Sequence, residues 1–209
     1  MSRLARGLYA ITDSRLIGER LVESVEAAII GGAVVVQYRD KSADHTRRLK
    51  EATTLQQLCR DHNVTFIVND DLELAAQIGA DGLHIGQEDN SLNEARQQLG
   101  TETIIGVSCY NRFELAQEAE DAGADYVAFG RFFSSNIKPD AVGAHLELLE
   151  RAKNEITVPV VAIGGITAEN GAQLVEAGAD LLAVISDLFD RPTATEITAA
   201  AQRLQTLFN

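Results

Sequence analysis

Four stretches of the chain share one hydrophobic pattern. They read IIGGAVVVQ (29–37), QIGADGLHIG (77–86), DAGADYVAFG (121–130) and EAGADLLAVI (176–185). In each, a helical end meets Gly, a small residue follows, and an apolar run with strand character comes next. Glycine takes the left-handed conformation that closes a helix, which other residues resist. Gly32, Gly79, Gly123 and Gly178 are spaced 47, 44 and 55 residues apart. One βα unit of a compact barrel takes roughly 25 residues, since such barrels run to about 200 or more. Each interval therefore has room for two units. The second strands are LYAIT (8–12), TFIVND (65–70), IIGVSC (104–109) and VPVVAIGG (158–165).

Polar residues mark where the intervening helices begin. Ser91 with Glu94, Asn111 with Glu114, and Thr193 with Glu196 have capping-box spacing. Thr167 is placed to cap AENGAQLVEAG. Strands that alternate with helices imply right-handed crossovers and a parallel sheet. Eight units in 209 residues predict a single domain over 1–209. Its fold class is α/β, a (β/α)8 TIM-type barrel of eight parallel strands. A doubly wound open sheet is the alternative topology.

Composition narrows the function. At 45% hydrophobic, the chain can bury one full core. A net charge of -13 disfavours nucleic acid and anionic membranes as partners. An anionic substrate would then need a local cation cluster or a metal. The start, MSRLARGLYAIT, lacks the apolar core of a signal peptide, and no run reaches membrane-spanning length. Cys59 and Cys109 have no metal-ligand or disulfide spacing. As free, reduced thiols they point to the cytoplasm.

Barrels of this class place their chemistry where strands end. VVVQYRDK (34–41) starts as a buried strand and puts Gln37, Arg39 and Lys41 on one side by its alternation. Arg39 offers a planar donor fork and Lys41 a point charge, both suited to phosphate. Lys138 follows strand six in a loop with Ser and Gly, where a solvated lysine is equally ordinary. Asn69 and Asp70 end strand three, and Asp89 follows strand four. Two carboxylates with phosphate oxygens and waters suit magnesium; helix capping is the competing role, and Asp71 fits a cap better than Asp70. Gly165 after strand seven and Ser186 after strand eight can offer backbone N–H groups to a phosphate. His84 reads as a hydrogen-bonded filler of the barrel interior. Cys109, beside Ser108, lacks a partner base and reads as inert.

LYAITD, QYRDK, VNDD, ADGLHIGQED, IIGVSC, DYVAFGRFF, VVAIGGI and LLAVIS occur in the order that resembles the thiamine phosphate synthase family, from Leu8 to Ser186. The resemblance implies a magnesium-dependent transferase. Such an enzyme joins a hydroxymethylpyrimidine pyrophosphate to a thiazole phosphate and releases pyrophosphate. It further implies that Gln37, Arg39, Lys41, Asn69, Ser108 and Lys138 contact the pyrimidine pyrophosphate. Asp70 and Asp89 would hold Mg2+. Gly165, Ile185 and Ser186 would bind the thiazole phosphate, with Ser135 and Ile137 in the loop beside them. At Ser134-Ser135-Asn136-Ile137-Lys138 the family usually reads Pro-Thr-x-Thr-Lys, so Ile137 lacks a hydroxyl the family has. The expected partners are these small molecules, with a homo-oligomer compatible. A thiazole tautomerase-like enzyme and a non-catalytic precursor-binding barrel are the alternatives.

Overall fold

The computed structural model describes residues 4–87, 91–134 and 143–209. Among them, strands and helices alternate. The first half runs β1 (Gly7–Ile11), α1 (Ser14–Ile17), α2 (Leu21–Ile30), β2 (Ala33–Tyr38), α3 (His45–Asp61), β3 (Thr65–Asn69), α4 (Leu72–Ile78) and β4 (Gly82–Ile85). The second runs α5 (Leu92–Leu99), β5 (Ile104–Tyr110), α6 (Phe113–Asp121), β6 (Tyr126–Phe129), α7 (Leu146–Glu155), β7 (Val160–Ile163), α8 (Ala172–Ala177), β8 (Leu181–Val184), α9 (Ser186–Phe189) and α10 (Ala194–Gln205). The strands close in sequence order into an eight-stranded barrel, with β1 pairing in parallel with both β2 and β8. The expected barrel is therefore correct, and the open doubly wound sheet is not.

Strand alternation splits the core in two. Tyr9, Ile11, Val35, Ile67, Tyr126, Val161 and Leu181 belong to a cluster inside the barrel. Their neighbours Leu8, Ala10, Val36, Phe66, Val127, Ala162 and Leu182 face the helical ring. A strand buried on both faces must be apolar throughout, which explains the unbroken apolar runs.

The recurring Gly-Ala-Asp does two jobs. Gly79 sits at φ 64° and Gly123 at φ 90°, where a helix turns back towards a strand. The aspartate then fastens the preceding strand. Asp81 accepts from the Phe66 N–H, Asp125 from the Ile105 N–H and Asp180 from the Val160 N–H, each at 2.9 Å. Those N–H groups lie within the first two residues of β3, β5 and β7.

Ser91 and Thr193 form true capping boxes with Glu94 and Glu196. Asp71, not Asp70, caps α4. Two expected caps are absent. α6 starts at Phe113 after Arg112, with no side-chain cap, because β5 continues to Tyr110 and leaves Asn111 in the turn. Thr167 opens a turn instead of α8: its N–H donates to Asn170 Oδ1 at 2.8 Å, and the helix begins at Ala172.

Candidate active site

A cavity of about 350 Å3 opens at the carboxyl ends of the strands. Its walls are apolar, from Ile11, Ala128, Val161, Ile163 and Ala183. Arg39, Lys41, Asp70 and Arg131 bring charge to it. Among the described lining residues cations thus outnumber carboxylates three to one, in a chain whose net charge is -13.

Arg39 and Lys41 are placed by the end of β2 and the loop that follows it. Gln37 lies in β2 and points inward. Arg39 follows the strand; its N–H donates to Thr12 Oγ1 at 2.9 Å, and its guanidinium lies 3.6 Å from Asp13 Oδ2. Asp13, buried at the end of β1, also accepts from Arg15 Nε and Nη2 at 2.9 and 2.6 Å. These bonds from Arg15 hold its carboxyl below the usual carboxylate range, against the opposite pull of burial. Between the two cations, Asp40 points away from the cavity. It accepts from the Ser42 N–H and from Arg47 Nη2, both at 2.6 Å, and so ties down the loop that carries them. Lys41, more than half exposed, pairs with the Asp70 carboxylate across the cavity mouth. Asp70 sits at φ 61° and Tyr110 at φ 51°, left-handed conformations that non-glycine residues seldom take. Both line the same cavity.

The floor is a hydrogen-bonded chain across the barrel interior. Gln37 Nε2 donates to the Tyr9 hydroxyl at 2.8 Å. The Tyr9 and Tyr126 hydroxyls lie 2.8 Å apart, and Tyr126 reaches His84 Nδ1 at 2.9 Å. His84 Nε2 then meets Ser108 Oγ at 2.9 Å. Burial pushes both phenols well above their ordinary range, so each keeps its proton. Gly106 makes the Tyr126 position available: a Cβ there would fall 1.9 Å from Tyr126 Cζ.

Of the residues expected from sequence, Gln37, Arg39, Lys41, Asn69, Asp70, Ser108 and Ile185 line this cavity. Gly165 and Ser186 do not, although Gly164 does. Gly165, at φ 65°, backs onto the chain before it: a Cβ there would fall 2.4 Å from the Ser134 carbonyl oxygen. Ser186 begins α9 and is exposed. Asp89, Ser135, Ile137 and Lys138 lie outside the described residues. His84 is the hydrogen-bonded interior residue expected. Cys59 and Cys109 are free and buried, and burial pushes both thiols up to about 12, so neither is a ready nucleophile. Reading strand ends only from the second onward passes over Thr12 and Asp13. Tyr9 and Tyr126 are hidden by their apolar runs, although a buried tyrosine must pair its hydroxyl.

Among the described residues, no group of three or more His, Cys, Asp or Glu side chains is placed to hold a metal, and no helix is long and apolar enough to cross a membrane.

The thiamine monophosphate synthase family matches residues 8–188. The thiamine-phosphate synthase of Nitrosococcus oceani is 52% identical over 202 residues, covering 96% of this chain and 92% of that protein. A solved thiamine phosphate pyrophosphorylase from Pyrococcus furiosus superposes with a TM-score of 0.87 at 36% identity, over 99% of this chain and 96% of that one. A second solved pyrophosphorylase, from Bacteroides thetaiotaomicron, shares the fold at 16% identity, with a TM-score of 0.71 and 96% of each chain covered. The barrel, the cationic cavity at its carboxyl end and these likenesses place the chain in the thiamine monophosphate synthase family.

Proposed function

We propose that this chain condenses 4-amino-2-methyl-5-hydroxymethylpyrimidine pyrophosphate with thiazole phosphate, giving thiamine phosphate and pyrophosphate. The observation that carries the reading is the cavity itself: cations gathered over a polar, hydrogen-bonded floor, in a strongly acidic chain. The likeness to a thiamine-phosphate synthase favours this reaction over the tautomerase-like and non-catalytic alternatives.

The chemistry suits such a site. The C–O bond between the pyrimidine methylene and pyrophosphate breaks, and its electron pair leaves with pyrophosphate. The thiazole nitrogen then donates its lone pair to the methylene carbon and closes the C–N bond. No side-chain nucleophile is needed. The work is to stabilise charge on the leaving oxygens and to hold the two partners in line. Arg39, Lys41, Lys138 and the Ser108 hydroxyl serve the leaving group, and Gln37 and Asn69 orient the pyrimidine end. Gly165, Ile185 and Ser186, with Ser135 and Ile137, serve the thiazole phosphate.

Among the described residues, the donor set suits magnesium through one carboxylate. Magnesium takes one or two carboxylates and completes its shell with waters and substrate phosphate, and the Asp70 carboxylate lies at the cavity. Asp70 and Asp89 would hold the ion. When bound, it supplies positive charge to the pyrophosphate oxygens. Lys41 pairs with Asp70 here, so a metal there would free its ammonium for the substrate.

The test is incubation of the chain with both substrates and magnesium. Thiamine phosphate and pyrophosphate should appear in equal amounts. Pyrophosphate without thiamine phosphate, or neither product, would reject the reading.

A further inference from the structure

The chain of hydrogen bonds under the cavity has a direction, and the direction decides what Ser108 can offer. Gln37 spends an amide proton on the Tyr9 oxygen. Tyr9 and Tyr126 carry one proton each. Both are used if Tyr9 donates to Tyr126 and Tyr126 donates to His84 Nδ1, across contacts of 2.8 and 2.9 Å. The opposite sense would bring two donors onto the Tyr9 oxygen and leave the buried Tyr9 proton without an acceptor in this chain of contacts, which is costly. Nδ1 is therefore the acceptor, and the ring proton sits on Nε2, 2.9 Å from Ser108 Oγ. A histidine tautomer is set by the bond its other nitrogen makes.

We propose that His84 is a positioning residue: as the Nε2–H tautomer it donates to Ser108 Oγ, so that the serine proton turns into the cavity, towards the departing pyrophosphate. The assignment rests on the reaction proposed above, in which Ser108 meets that anion. An ionised phosphate oxygen is an acceptor only. A serine that gave its proton to His84 would turn lone pairs towards the anion and repel it. A serine that receives the His84 proton keeps its own to donate. The same side chain thus helps or hinders according to the direction of the protons on Tyr126 and Tyr9, further back along the relay. The stacking of His84 on Tyr126, with rings 5.6 Å apart and 22° from parallel, holds the imidazole in the orientation this requires.

Two measurements test it. Imidazole 15N NMR of the unliganded protein, assigned with a His84→Gln variant, should show His84 protonated at Nε2 and bare at Nδ1. A proton on Nδ1 would mean that the relay runs the other way, with the Gln37 amide reversed, and would overturn the proposal. The second is a kinetic cycle. His84→Leu should lower kcat about 10-fold or more with little change in KM for the pyrimidine pyrophosphate, against roughly 100-fold for Ser108→Ala. In the Ser108→Ala background the same histidine change should cost less than about 2-fold, because the residue acts through a hydroxyl already removed. Tyr126→Phe, which keeps the ring, gives the same cycle if His84→Leu does not fold. Losses that multiply would mean that His84 only supports the barrel, and would overturn the proposal while leaving the synthase reading intact. An unaltered parent that makes no thiamine phosphate would overturn both.

Discussion

Arg39 and Lys41 are the side chains whose loss should be felt most directly. Each can make a charge-assisted contact that strengthens as the leaving group gains charge. Such a contact is worth about 1.5–3 kcal/mol, so Arg39→Ala or Lys41→Ala should slow turnover roughly 10–100-fold. Urea midpoints should move little, because Lys41 is largely exposed and Arg39 is anchored through its backbone as well. Equal turnover in parent and variants would mark both cations as surface charges. Asp13 acts one step behind. Its carboxyl is held below the usual range by Arg15. A carboxyl whose pKa is lower folded than unfolded stabilises fully above its unfolded value of about 3.9. That stability fades as pH falls through the folded value. The parent's advantage over Asp13→Asn should therefore shrink on acidification below about pH 4. Urea midpoints measured across that range check it, and a constant difference would refute it. The strand-end rule made Arg39 and Lys41 legible in the sequence, since polar side chains on one side of an apolar strand need a reason. Asp13 was not legible from its own stretch, because its role shows only when the end of β1 is set beside the end of β2.

At the scale of elements, the repeat carried the fold. Four glycines at helix ends were enough to count the units, because few other residues tolerate those conformations. What the repeat did not disclose is why aspartate follows in three of its four copies. Asp81, Asp125 and Asp180 each accept an N–H from the first two residues of the strand before, a contact made only once the two neighbouring strands lie side by side. Asp180→Ala should leave that N–H of β7 without its acceptor and cost about 1–3 kcal/mol. Thermal or urea unfolding reads the loss, and an unchanged midpoint would show that water takes over. Helix starts were legible where a Ser or Thr stood three residues before Glu. They were misread at Asn111 and Thr167, where strand extension and a tight turn claimed the residues first. Gln37 shows the same limit. Its inward direction follows from alternation, but its bond to Tyr9 joins two different strands.

For the molecule as a whole, the charge distribution is the telling quantity. An acidic exterior repels the phosphorylated substrates, and the cations at the mouth reverse that field locally. One end of the barrel is thus suited to an anion, above a floor of mutually hydrogen-bonded groups. The central claim is that pyrophosphate leaves into this cluster of Arg39 and Lys41. The most direct measurement is a crystal structure of the chain grown with thiamine phosphate, pyrophosphate and magnesium. Pyrophosphate should lie within hydrogen-bond distance of Arg39, Lys41 and Ser108 Oγ, with the pyrimidine against Tyr126 and the thiazole phosphate towards Gly165 and Ser186. Pyrophosphate bound outside the cavity, or bound within it but away from Arg39 and Lys41, would contradict the account.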